Sequence, residues 1–70
     1  MSWYLNRFSR DQIDNIANNP GNFDTGDVRR AAKEAEQHYM NDTYGCTIEW
    51  MTTVQMKLNA ELRRRGEYPV

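Results

Sequence analysis

Apolar residues recur three or four positions apart in three separate stretches of the chain, which is the spacing of an α-helix with one buried face. The longest stretch lies in the C-terminal third. Its apolar positions are Ile48, Trp50, Met51, Val54, Leu58 and Leu62. Thr47 precedes them as a suitable N-cap, and Gly66 follows them as a suitable C-terminal glycine. The pattern predicts a helix between Thr47 and Gly66.

The first stretch predicts a shorter helix. Ser9 is followed three residues later by Gln12, which is the capping-box pattern at a helix start. Ile13 and Ile16 then lie on one face, and the Asn-Asn-Pro-Gly sequence at 18–21 ends the helix.

The middle stretch predicts a helix with an unusually flat buried face. Either Asp24 or Thr25 can cap it, and Asp27 is favourably placed near its positive end. The stripe at helical spacing consists of Val28, Ala31, Ala32, Ala35 and Tyr39. Because alanine side chains are short, another helix can lie close to this stripe. We expect the helix to end around residues 42–45.

Together these patterns predict an all-α fold, a small three-helix bundle in a single domain spanning residues 1–70. An aromatic lead-in containing Trp3 and Tyr4 precedes the bundle, and a short extended tail, residues 67–70, follows it. The predicted core is Ile13, Ile16, Val28, Ala35, Ile48, Met51, Val54, Leu58 and Leu62.

Composition narrows the class of protein. Nine Lys and Arg residues against ten Asp and Glu leave a net charge of −1, which disfavours a nucleic-acid binder. The single cysteine, Cys46, cannot form an internal disulfide, and we find neither a signal-peptide pattern nor an apolar run of about 18 residues. We therefore expect a cytoplasmic protein with no membrane partner. Its small supply of core residues favours a homodimer.

Glu34, His38 and Asp42 follow one another at intervals of four residues, so they line one side of the predicted middle helix. Such a line can bind a metal ion or transfer protons. The simpler interpretation is that the three residues edge the alanine stripe, with His38 half-buried and hydrogen-bonded to an acidic neighbour. We favour the simpler interpretation because zinc sites normally need three or four protein ligands.

Two further patterns have simpler explanations than chemistry. Oxygen-bearing side chains between residues 22 and 27 resemble a calcium loop, but the position that needs a glutamate is Lys33, and helix capping explains the same residues. Cys46 lacks the electropositive surroundings of a nucleophile, so we expect it to be a small buried residue. No enzyme, metal or cofactor is predicted.

The sequence 63–65 is a run of three arginines, which we call the triple-arginine run. It suits the negative end of a helix dipole, and it is also a candidate nucleic-acid contact. No convincing helix-turn-helix spacing accompanies it.

Aromatic residues and methionines exceed the needs of a small bundle core, unless the lead-in folds back over the third helix. Since these residues are enriched where proteins meet, we predict a non-enzymatic protein-interaction module. It would be a small phage or bacterial accessory protein, an inhibitor or adaptor of a larger protein. The predicted contact residues are Trp3, Tyr4, Trp50, Met56, Arg63 and Arg64. The alternative is a small nucleic-acid-binding or transcription-accessory protein that uses Arg63–Arg65.

Overall fold

The computed structural model describes residues 7–67 and shows three α-helices: α1 (Arg10–Asn18), α2 (Thr25–Met40) and α3 (Ile48–Arg64). A short 3-10 turn, Pro20–Asn22, joins α1 to α2, and no strand occurs within residues 7–67. The predicted all-α three-helix bundle is confirmed. The predicted lead-in lies outside the described residues, as does most of the predicted extended tail.

Each helix begins with the cap that the sequence predicts. The Ser9 hydroxyl accepts a hydrogen bond from the Gln12 backbone N–H, and the Gln12 side chain accepts one from the Ser9 backbone N–H. Asp24 and Thr47 cap α2 and α3 by accepting from the backbone N–H three residues further on. These short-range bonds satisfy amides that have no partner inside the helix.

The end of α3 also follows the prediction. Gly66 has a φ of +77°, a left-handed conformation that glycine adopts without a steric penalty. It lets the backbone N–H of Glu67 return to the carbonyl oxygen of Leu62 over 2.8 Å. This is the arrangement of a Schellman motif, which closes the last turn of a helix.

All three helices contribute to one core. Its buried members are Ile13, Ile16, Ala17, Val28, Ala31, Ala35, Val54, Leu58 and Leu62. Met51, which we predicted to be a core residue, is half-buried and packs against this cluster. Complete burial of an aliphatic side chain contributes about 1.5–3 kcal/mol, so the few large members carry much of the stability of the domain.

Ile48 was wrongly predicted to be a core residue, because 54% of its surface is exposed. At 100° per residue it lies about 80° around α3 from Leu58, at the margin of the apolar face. It is also the first residue of α3, at the end of the bundle beside the α2–α3 loop.

Candidate functional site

Large apolar side chains are exposed at one end of the bundle. Met40 is the last residue of α2, Ile48 is the first residue of α3, and Tyr44 lies in the loop between them. Their exposed fractions are 71%, 54% and 98%, respectively. The chain leaves α2 and enters α3 at this end, so all three residues belong to the same end of the bundle. We call Met40, Tyr44 and Ile48 the loop-end patch.

The backbone around Tyr44 is fixed by hydrogen bonds on both sides. Asp42 adopts a left-handed φ of +56° that ends α2, and the N–H of Thr43 bonds to the carbonyl of His38. The N–H of Cys46 donates to the carbonyl oxygen of Thr43 over 2.9 Å, and the Cys46 side chain is buried. The loop therefore holds Tyr44 out into solvent between two anchored positions.

Cys46 is buried, as predicted from the sequence. Burial raises the pKa of its thiol, the positive charge of Arg10 lowers it, and the negative charge of Asp14 raises it again. Because the thiolate is the reactive form, these surroundings suppress nucleophilic chemistry in the folded protein.

Arg10 and Trp50 connect the loop end of α3 to α1. The guanidinium carbon of Arg10 lies 5.4 Å from the centre of the Trp50 ring, and the guanidinium forms an ion pair with Asp14 at 3.6 Å. The Trp50 indole N–H donates to the same carboxylate over 2.6 Å. Trp50 is therefore half-buried in contacts within the chain, at the edge of the apolar face where we predicted a binding residue.

Glu34 and His38 hold the chain segment that precedes α1. The Glu34 carboxylate accepts the backbone N–H of Phe8, and the His38 Nε2–H donates to the Phe8 carbonyl oxygen over 2.8 Å. The Arg30 guanidinium lies over the Phe8 ring, 4.3 Å from its centre, and pairs with Glu34. Both ends of the Phe8 peptide unit are thus bound by α2 side chains.

This arrangement corrects one detail of the sequence prediction. His38 is half-buried as expected, but its partners are the Phe8 carbonyl and the Thr43 hydroxyl rather than an acidic residue. Asp42 is exposed beyond the end of α2, and Glu34 is occupied by Phe8 and Arg30. Within the described range, no group of three His, Cys, Asp or Glu residues has the geometry of a metal site.

Two members of the triple-arginine run have different roles. Arg64 forms a solvent-exposed ion pair, whereas Arg65 makes a contact that holds the fold. Arg64 and Arg65 both bind the buried carboxylate of Glu61, and their hydrogen bonds lower its pKa to about 2. Arg65 also donates to the carbonyl oxygens of Pro20 and Phe23, over 2.9 and 2.6 Å. Arg65 therefore fixes the α1–α2 connection to α3.

A groove of about 510 Å³ lies between α2 and α3, on the side away from Phe8. It is lined by Arg29, Ala32, Lys33, Glu36, Gln55, Asn59 and Leu62. The Gln55 side-chain amide crosses it and donates to the Ala32 carbonyl oxygen over 3.2 Å. We call this feature the α2–α3 groove.

The predicted contact residues on α3 lie at different points along that helix. Met56 is 68% exposed on the outer side of α3, two turns from Ile48, and Arg63 and Arg64 are exposed near the opposite end of that helix. Trp3 and Tyr4 lie outside the described residues.

Sequence reasoning missed Met40 and Tyr44. Met40 falls outside the alanine stripe of α2, and Tyr44 is a large aromatic inside the polar sequence 41–45. The signal that could have revealed Tyr44 is its place among turn-forming residues, where an aromatic side chain is expected to be exposed.

No helix among residues 7–67 is long and apolar enough to cross a membrane. Comparison of the chain with protein-family models, curated proteins and solved structures gave no match.

Proposed function

We propose that this chain is a non-enzymatic protein-interaction module, an inhibitor or adaptor that binds a larger protein through the loop-end patch. The observation that carries the proposal is the exposure of Met40, Tyr44 and Ile48 at one end of the bundle. Exposing large apolar side chains in water is unfavourable, and a partner surface that covers them recovers that free energy.

The chemistry of the patch suits a protein partner. Tyrosine and methionine are both enriched at protein interfaces, where tyrosine offers a broad apolar ring and a hydroxyl that can hydrogen-bond. The loop that carries Tyr44 also contains exposed polar residues, including Asn41 and Asp42. An apolar centre with a polar rim is the usual anatomy of an interface.

The polar side chains with catalytic potential are occupied inside the bundle, which supports a binding role. His38 and Glu34 bind the backbone of Phe8, and burial keeps the thiol of Cys46 protonated. Arg65 is committed to backbone carbonyls and to Glu61. These contacts stabilise the fold and leave those groups with little freedom to act on a substrate.

We propose in addition that the chain forms a homodimer. The apolar face of α3 is buried within the monomer at Val54, Leu58 and Leu62. A dimer must therefore use another surface.

Two exposed methionines provide a matched test of partner binding. Met40 belongs to the loop-end patch, whereas Met56 is equally exposed on the outer side of α3, at 71% and 68%. A partner captured with the tagged chain from its native host is purified, and its affinity is measured for the wild type, Met40→Ala, Tyr44→Ala and Met56→Ala.

We expect Met40→Ala and Tyr44→Ala to weaken binding, Tyr44→Ala by about 2 kcal/mol or more. Met56→Ala should leave the affinity unchanged, and circular dichroism should show the same helical content in every variant. Loss of binding in Met56→Ala alone would move the contact to the outer side of α3. Salt-dependent binding to DNA or RNA that is abolished by changing Arg63 and Arg64 to Gln would favour the nucleic-acid alternative.

A further inference from the structure

The α2–α3 groove carries two opposite charges that have no partner in the described part of the chain. Within residues 7–67, neither the Lys33 ammonium nor the Glu36 carboxylate forms an ion pair or a side-chain hydrogen bond. Arg29, on the same rim, is paired with Glu67 over 2.6 Å. As far as residues 7–67 show, the groove therefore has one unpaired positive and one unpaired negative charge, one helical turn apart on α2.

We propose that a second copy of this chain docks on the α2–α3 groove through its own α2, so that Lys33 of each copy meets the partner's Glu36. The inference rests on the self-association proposed above and identifies its interface. The two copies are related by a two-fold axis that passes between Lys33 and Glu36, and their α2 helices run antiparallel.

The spacing of the charges selects this arrangement. Arg29, Lys33 and Glu36 are separated by intervals of four and three residues, which place them along one seam of the helix. Antiparallel contact about the two-fold axis forms two Lys33–Glu36 pairs between the copies. Parallel contact would instead place each charge opposite its own counterpart, and like charges repel. The same surface on both copies is thus complementary to itself, as a two-fold dimer requires.

The surface of the groove also suits a packed helix. Ala32 has a short side chain that allows close approach, and the buried core residue Leu62 lines the groove beneath it. The amide of Asn59 and the remaining oxygen of Gln55 can hydrogen-bond to a docked helix. These polar groups can be satisfied at an interface without the burial of a lone charge.

Charge reversal tests the proposal with three variants. Sedimentation over a concentration series gives the dimer dissociation constant for the wild type, Lys33→Glu, Glu36→Lys and the double variant Lys33→Glu/Glu36→Lys. We expect each single change to weaken the dimer by about tenfold or more, since it replaces two attractive pairs with two repulsive ones. The double change exchanges the signs of both residues, so it should restore dimerisation.

A mixture of the two single variants is the decisive sample. Lys33→Glu has an entirely acidic seam centre and Glu36→Lys an entirely basic one, so a 1:1 mixture should form a heterodimer even where each variant alone is monomeric. Glu49→Lys is the control. It makes the same change of charge as Glu36→Lys, but at an exposed site of α3, and should leave dimerisation intact.

The outcomes separate the interface from self-association itself. A wild-type dimer that is indifferent to both single changes, or a mixture that stays monomeric, would overturn the interface and leave self-association standing. A wild-type monomer up to millimolar concentration would overturn both. Partner binding is judged separately by Tyr44→Ala in the loop, because Met40 continues the seam of Arg29, Lys33 and Glu36 and would face Arg29 of the other copy.

Discussion

The indole N–H of Trp50 donates a 2.6 Å hydrogen bond to the carboxylate of Asp14, joining α3 to α1 across 36 residues of sequence. Arg10 binds both partners, through the face of the Trp50 ring and the Asp14 carboxylate. Trp50, which was predicted to bind a partner, therefore also joins two helices within the bundle. Replacing it with alanine would disturb both roles at once.

Phenylalanine at position 50 separates the two roles, because it keeps an aromatic ring and removes the hydrogen-bond donor. We expect Trp50→Phe to lower the free energy of unfolding by about 1.5–3 kcal/mol, the range for a hydrogen bond to a charged group. Urea denaturation of Trp50→Phe, Asp14→Ala and the double variant measures the coupling. Strictly additive losses would show that the Trp50–Asp14 bond contributes nothing.

Leu58 and Ile48 are large aliphatic residues of the same helix with opposite environments, and they give a direct test of the core. Leu58 is completely buried, so Leu58→Ala should cost about 2–5 kcal/mol of unfolding free energy. Ile48→Ala should cost less than about 1 kcal/mol, because Ile48 is largely exposed. Equal losses in chemical denaturation, or a small loss for Leu58→Ala, would contradict the observed packing of α3.

Arg64 and Arg65 both bind Glu61, but they differ in their exposure and in their other contacts. The Arg65 side chain is 17% exposed and reaches two backbone carbonyls, whereas the Arg64 side chain is 68% exposed. We expect Arg65→Gln to lower the stability by about 1.5–3 kcal/mol, because two partly buried carbonyls lose a charged donor. Arg64→Gln should change the stability little, since exposed ion pairs are screened by water. The two variants are compared by thermal unfolding.

Comparable melting temperatures for Arg65→Gln and the wild type would show that the contacts with Pro20 and Phe23 do not hold the α1–α2 connection. A clear loss in Arg65→Gln would also show that mutating the whole triple-arginine run is a poor test of nucleic-acid binding, because it would weaken the fold.

Glu61 gives the bundle a defined dependence on pH. Hydrogen bonds from Arg64 and then from Arg65 lower its pKa from 4.5 to about 2 in the folded protein. The stabilisation is therefore complete above pH 4.5, the unfolded value, and is lost as the pH falls towards 2. Glu61→Gln should lower the melting temperature at neutral pH, and its difference from the wild type should shrink below pH 4.5.

Melting curves of the wild type and Glu61→Gln across this acidic range measure that difference. A gap in melting temperature that stays constant down to pH 2 would mean that the charge on Glu61 is not what stabilises the bundle.

The sequence predicted those features of the fold that depend on neighbouring residues. The caps at Ser9, Asp24 and Thr47 each act within three residues, and Gly66 acts within one turn of α3. Such contacts follow from residue type and spacing alone. The buried faces of the helices were predicted for the same reason, because helical periodicity determines which side chains share a face.

Contacts between distant segments could not be predicted. Glu34 meets Phe8 across 26 residues, and Arg65 meets Pro20 across 45. Nothing local distinguishes these polar residues from others on the surface of a helix. The prediction that Ile48 is buried was wrong for a related reason. Periodicity shows which face of a helix a residue occupies, but not whether a neighbouring helix extends far enough to cover it.

The loop-end patch was equally hidden from the sequence, since exposure at a helix junction depends on how the two helices are joined. Met40 and Ile48 lie at the same end of the bundle, on either side of a short loop in which Asp42 and Gly45 both have positive φ. Of the residues predicted to bind a partner, none belongs to this patch, and their role stays a prediction.

Cys46 is a built-in probe of how often the α2–α3 loop opens. It is the only cysteine of the chain, it is buried, and its thiol becomes accessible when the loop that carries Tyr44 opens. The rate at which a thiol reagent labels the unmodified protein therefore measures how often this loop opens, with no probe introduced by mutation. A bound partner that covers Tyr44 would slow the labelling, so the same thiol can be used to detect occupancy of the neighbouring surface.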